Sequence, residues 1–270
     1  MRLRPPVPFP VDFGVWRYLS WPVMDPELIL LVTGVFLLAG FVKGVIGMGL
    51  PTVSVALLVL AVGVKQALAL MLIPSIVTNI WQAAVGGRFL GLIRRLGLLF
   101  LAAAPAIWLG AGLLAKADAL VLSAFFGAVL ALYALLSLTG AHLPTPGRHE
   151  TWLSPLVGAA TGFITGLTGS FVVPAVMYMQ ALGLSRDELV QAMGIAFSLS
   201  TAMLAIALAG HALLPLDLGL LSASALVPSA IGMAVGQRVR KRLSEARFRQ
   251  LFFSALLALG VWLMLRPAIL

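Results

Sequence analysis

Apolar stretches that approach or exceed the roughly 18 residues needed to cross a hydrocarbon core recur along this chain, and nothing else limits its fold so strongly. Read between charged or Pro/Gly-rich breaks, they lie near residues 28–62, 66–86, 96–115, 119–139, 153–183, 189–210, 216–236 and 249–265. With 61% hydrophobic and 10% charged residues, the composition falls outside the soluble globular class. The expectation is an all-α polytopic membrane protein of about eight hydrophobic segments. Cysteine is absent, which excludes disulfides and thiolate metal sites. The net charge of +9 sits mostly in loops between spans, where the positive-inside bias accounts for it without nucleic acid. Arg2 and Arg4 are followed by prolines rather than an apolar run, so uncleaved insertion is expected. Trp16, Tyr18 and Trp21 suit an interfacial anchor in a tail over residues 1–27.

The first and fifth segments are anomalous. The 35 residues of 28–62 would run about 52 Å as one helix against a core of about 30 Å, and both segments carry glycine clusters. "GFVKGVIG" from Gly40 aligns with "GFITGLTG" from Gly162, pairing Gly44 with Gly166 and Gly47 with Gly169. Gln66-Ala67 then aligns with Gln191-Ala192 and Ser75 with Ser200, and each third span holds a proline, Pro105 or Pro228. This ordered series indicates a duplication: repeat 1 over 28–139, a linker over 140–152 and repeat 2 over 153–265.

Charge orients the copies oppositely. Arg88, Arg94 and Arg95 precede the third span of repeat 1, whereas Arg238, Arg240, Lys241, Arg242, Arg247 and Arg249 follow that of repeat 2. Under the positive-inside rule the copies form an inverted repeat. Each repeat then opens with a Gly-broken helix that turns back to the side it entered. A less symmetric topology, with the first segment crossing fully, segregates the basic residues more strongly, so the topology of the termini stays open.

Backbone broken at membrane depth needs protein or a water-filled cavity to satisfy it, and a returning helix points its first N–H groups at the break. A small anion suits such a place. Candidate substrate contacts are Gly44, Gly47, Gly49, Thr52 and Ser54 at the first break and Gly166, Thr168, Gly169 and Ser170 at the second. Ser75, Asn79 and Gln82 fall on one face of the second segment, and Ser198 and Thr201 with Gln191 give a weaker equivalent in the sixth. Two readings compete at these positions: ligand contact, or close helix packing by the glycines and local bonding by the polar groups. Lys43 is the only ionisable residue well inside a predicted span. It is either a counter-charge for an anion, a group whose protonation changes, or a lysine snorkelling to an interface.

Twin glycine-rich segments with a following proline, "GFVKGVIGMGLP" and "GFITGLTGSFVVP", resemble the TauE/SafE family of sulfite and organosulfonate exporters, over nearly all of Leu28 to Leu265. The resemblance implies a transporter of small sulfur oxyanions in the bacterial inner (plasma) membrane, alternately open to its two sides. Leu50 and Ser170-Phe171 stand where the family pattern has glycines, which narrows or reshapes the pocket. Expected partners are a small anionic substrate and the lipid bilayer, with a homodimer left open; no cofactor, metal or nucleic acid is expected. Export is favoured because the inside-negative potential assists an outgoing anion and no acidic residue lies deep inside a predicted span. Uptake of an organic acid or sulfonate, and a non-transporting assembly role, are the alternatives. A hydrolase built on Ser170 would need a base within reach, yet His142, His149 and His211 fall in loops or at span ends. No catalytic residue is assigned.

Overall fold

The computed structural model describes residues 26–141, 143–240, 242 and 244–269. The proposed anchor at Trp16, Tyr18 and Trp21, together with Lys241 and His142, lies outside them. Among the described residues there are ten α-helices: α1 (Pro26–Ile46), α2 (Leu50–Ala84), α3 (Phe89–Lys116), α4 (Ala119–Thr139), α5 (Glu150–Thr168), α6 (Ala175–Ala181), α7 (Arg186–Gly210), α8 (Leu216–Ser224), α9 (Leu226–Arg240) and α10 (Glu245–Ile269). Seven stretches are long and apolar enough to span a membrane, and no strand occurs among the described residues. The expected fifth segment, 153–183, is divided between α5 and the seven-residue α6, and neither piece qualifies as a span by this measure.

Local chemistry sets several boundaries. Asp118 Oδ1 accepts from Leu120 N–H at 2.8 Å to cap α4, and Gly140 ends that helix at φ 65°. Ser185 and Glu188 form a capping box at the start of α7. Gly63 divides α2 at φ 78°, ψ 169°, a conformation essentially restricted to glycine. The piece before it is thirteen residues, about 20 Å at 1.5 Å per residue, too short to cross alone.

The helices meet through small residues, because lipid supplies no hydrophobic drive between helices and close backbone contact must replace it. Gly158, Gly162 and Gly166 of α5 lie against Leu99, Ala103 and Ile107 of α3, so the two helices run parallel. Gly40 and Gly44 of α1 lie against Ser229 and Met233 of α9, again parallel. By contrast, Gly127 of α4 meets Gly260 and Met264 of α10 while Gly260 meets Ala131, an antiparallel crossing. Likewise α2 and α7 are antiparallel, with Ala83 beside Gly194 and Met71 converging with Leu204 on Gly169. Exchanging the halves, with α8 and α9 together standing for a third span, maps this set of pairings onto itself.

Polar ties mark the two ends of α3. Near its start, Arg95 donates to Glu150 at 2.7 Å and to the Leu182 carbonyl at 3.0 Å. Tyr178 of α6 donates to the Glu150 carbonyl at 3.1 Å and lies 2.8 Å from the Ser154 hydroxyl. The chain therefore leaves this end on α5 and has returned to it by Leu182. At the far end of α3, Lys65 donates to the Ala115 carbonyl at 3.0 Å, which places the Gly63 bend there.

Candidate functional site

The two interruptions close in the same way. Gly47 N–H donates to the Lys43 carbonyl and Gly169 N–H to the Thr165 carbonyl, both at 2.7 Å, and the glycines take φ of 87° and 69°. A residue with a Cβ is disfavoured in that left-handed region. Helix resumes at Leu50 after Gly49 (φ 103°) in the first half and at Ala175 after Pro174 in the second.

The interruptions touch. Thr52 Oγ1 and Ser170 Oγ lie 3.0 Å apart, both side chains buried. Around Ser170, its N–H donates to Thr168 Oγ1 at 3.3 Å and its carbonyl accepts from Thr165 Oγ1 at 3.3 Å. A hydroxyl pair uses one of its two protons internally, which leaves the other to donate elsewhere. Other candidate hydroxyls are turned to local partners: Ser54 to the Leu50 carbonyl at 2.8 Å, Thr168 to Ile164 at 2.7 Å, Ser198 to Gly194 at 2.7 Å, and Ser75 to Met71 Sδ at 3.3 Å. Thr201 is buried on α7.

Lys43 does not snorkel. It is 4% exposed, and its Nζ donates to Thr78 Oγ1 at 3.1 Å and to Asn79 Oδ1. No carboxylate ion-pairs with it among the described residues. Asn79 Nδ2 is buried without a hydrogen-bond partner, and a lysine ammonium carries three protons of which two are placed. As an ammonium, Lys43 thus keeps one further donor, and Asn79 another. Thr78, which in turn donates to the Pro74 carbonyl at 2.7 Å, was not foreseen; its position next to Asn79 on α2 was the available signal.

Several candidates serve the scaffold instead. Gln82 donates to the Val190 carbonyl and Gln191 to the Ala83 carbonyl, each at 2.9 Å, a reciprocal tie between α2 and α7. The expected polar face of α2 therefore splits: Asn79 turns to Lys43, Gln82 to α7. A Cβ at Gly44 would fall 2.3 Å from the Met233 carbonyl oxygen, and one at Gly166 2.4 Å from that of Ile107. These two glycines are packing contacts rather than backbone turned to a ligand. Pro74 leaves the Leu70 carbonyl without its usual helical donor, and Ser222 of α8 supplies one at 2.7 Å while accepting from Ile73 N–H at 3.2 Å.

A cavity of about 460 Å³ reaches the first interruption at Met48. Met48 of the first break and Val176 and Met177, just past the second, form part of its wall, together with Tyr133, Phe253 and Arg249. Its rim residues Gly140, Gln180 and Arg249 are exposed.

The family described as Sulfite exporter TauE/SafE matches residues 32–263. The chain belongs to that family. No curated protein and no solved structure matches it. TauE/SafE proteins are membrane transporters, in keeping with a polytopic helical chain and a non-enzymatic role. The TauE/SafE match contains both interruptions, Lys43, Asn79 and the cavity wall from Ile46 to Phe253.

Proposed function

We propose that this protein exports a small anion, sulfite or an organosulfonate, by alternating access at a site where the two interrupted segments meet. The observation that carries this reading is the contact between Thr52 and Ser170, residues 118 apart in sequence, which brings the two breaks to one buried point. Irregular backbone at membrane depth is tolerated where it is buried in protein or lines a cavity. Lys43 and the free amide of Asn79 supply a basic group and donors, with no carboxylate ion-paired to Lys43 among the described residues.

The exchangeable pairings of the halves support an inverted repeat, in which rocking of one half against the other opens the site alternately. Setting Arg88, Arg94, Arg95, Arg148 and Arg186 in the cytoplasm turns the mouth of the cavity inward, toward the supply of an exported anion. In a bacterial plasma membrane the potential then assists each outgoing negative charge by about 2.3 kcal/mol per 100 mV.

Flux in proteoliposomes tests this. Labelled sulfite, sulfoacetate and taurine, with sulfate as control, are followed under an imposed potential in wild type, Gly47→Val and Gly169→Val. Saturable flux of one anion, lost in folded valine variants, is the expected result; no flux of any anion in wild type would overturn the proposal.

A further inference from the structure

The two interruptions match in backbone and differ in what covers them. A Cβ at Gly47 would meet no atom of the described residues within 4 Å, and Ile46, Gly47, Met48 and Gly49 are each partly exposed. A Cβ at Gly169 would instead lie 2.3 Å from Leu68 Cδ2, 3.0 Å from Met71 Cε and 3.7 Å from Leu204 Cδ2. Ser170, Phe171, Val172 and Val173, which follow that glycine, are all buried, and so are Leu68, Met71 and Leu204. Three apolar side-chain tips thus converge on the second interruption, while the first stands at the wall of the cavity.

The place and chemistry of the three suit a closure. Leu68 follows Lys65 by one helical turn, and Lys65 is tied to Ala115 at the far end of α3. The cavity opens at the other end, where Gly183 adjoins the Leu182 carbonyl held by Arg95. The covering atoms are the ends of flexible side chains, so a rotamer change or a small helix shift uncovers the turn; the Gly166 contact with the Ile107 carbonyl is backbone and has no such freedom. The alignment that pairs Gln66 with Gln191 and Ser75 with Ser200 also pairs Leu68 with Met193, Met71 with Ala196 and Leu204 with Asn79. The counterpart set in the other half is therefore smaller and partly polar, and its Asn79 is drawn to Lys43. A tight apolar constriction excludes water and with it a hydrated ion. We propose that Leu68, Met71 and Leu204 are the gate on the side of the second interruption, shut in this structure while the path to the first stands open. The proposal rests on the transport reading and deepens it by naming the residues that hold one end closed.

The chain has no cysteine, so a single introduced thiol reports without background. Met48→Cys and Val172→Cys mark the two interruptions in the full chain, held in sealed right-side-out and inside-out vesicles and treated with a membrane-impermeant cationic methanethiosulfonate. Met48→Cys should react from the side of Arg88 and Arg95 only, and Val172→Cys from neither side. Adding Leu68→Ala or Leu204→Ala to Val172→Cys should raise its rate from the opposite side about tenfold or more, since access controls the reaction of a buried thiol. Leu68→Met, which conserves volume, should leave Val172→Cys unreactive. So should Leu96→Ala, which empties an equally buried position on α3 and controls for loosened packing. Leu96→Ala exposing Val172→Cys as much as the gate variants do would overturn the proposal. So would gate variants in which Val172→Cys stays unreactive or reacts only from the side of Arg88, or a Met48→Cys that reacts from neither side. Anion flux in proteoliposomes, measured alongside, separates the two readings. The expected labelling without flux of any anion removes the transport reading and keeps the closure; flux with Val172→Cys unmoved by the gate variants removes the gate alone.

Discussion

The hydroxyl groups of Thr52 and Ser170 stand 3.0 Å apart in the core, one from each half of the chain. Both belong to segments that follow a glycine with positive φ, Gly49 before Thr52 and Gly169 before Ser170.

That pair is open to a double-mutant cycle. Thr52→Val or Ser170→Ala alone leaves a buried hydroxyl short of a partner, at about 1–3 kcal/mol. The double variant should cost less than the two singles together, by about 1 kcal/mol in reversible unfolding in detergent micelles. Strict additivity would show that the hydroxyls do not depend on each other. Anion flux should fall at least tenfold in either single variant.

Lys43→Met removes the buried amine and leaves Thr78 and Asn79 without their donor. Flux should fall below a tenth of wild type, with Lys43→Arg retaining a measurable part because a basic donor remains. Stability should recover in Lys43→Met/Asn79→Leu relative to Lys43→Met, since the second change removes the orphaned amide. Wild-type flux from Lys43→Met in proteoliposomes would eliminate this residue from the site.

Close helix contact sets the cost of a single methyl group. A Cβ at Gly162 would lie 2.4 Å from the Ala103 carbonyl oxygen, a backbone atom that cannot rotate away. Gly162→Ala should destabilise by about 1–3 kcal/mol, as overpacking does. Gly97→Ala on α3 meets nothing within 4 Å and should be neutral or stabilising by up to about 1 kcal/mol through helix propensity. Thermal unfolding of both variants in one detergent makes the comparison; equal midpoints would refute the packing assignment.

Ser222→Ala should lower stability by about 1–3 kcal/mol, because the Leu70 carbonyl and the Ile73 N–H beside Pro74 lose their partner within the bundle. Hydrogen exchange at Ile73 should accelerate in the variant. Unchanged protection there would mean that the kink is satisfied without Ser222.

Much of the fold was legible because it is written locally. Long apolar runs announce membrane helices, and one aligned glycine pair, Gly47 and Gly169, falls where helices end, since only glycine enters positive φ freely. The spacing of Gly158, Gly162 and Gly166 also held a packing signal, four residues apart on one helix face, although only its last member was singled out, as a ligand contact. The site was less legible. Of the two readings left open for the polar candidates, Ser54, Thr168 and Ser198 take the local one, each bonding a carbonyl in its own helix, and Gln82 ties two helices together.

The sequence by itself determined the membrane setting, the helical class, the positions of the two interruptions and the family, because hydropathy, glycine conformation and motif spacing act within a short stretch of chain. Tertiary structure alone decided that Thr52 faces Ser170, that Lys43 turns inward to Thr78 and Asn79, and that Arg249 stands over the cavity. Side chains 35 to 118 residues apart meet only through helix crossings, and those crossings depend on which glycine lies against which backbone atom.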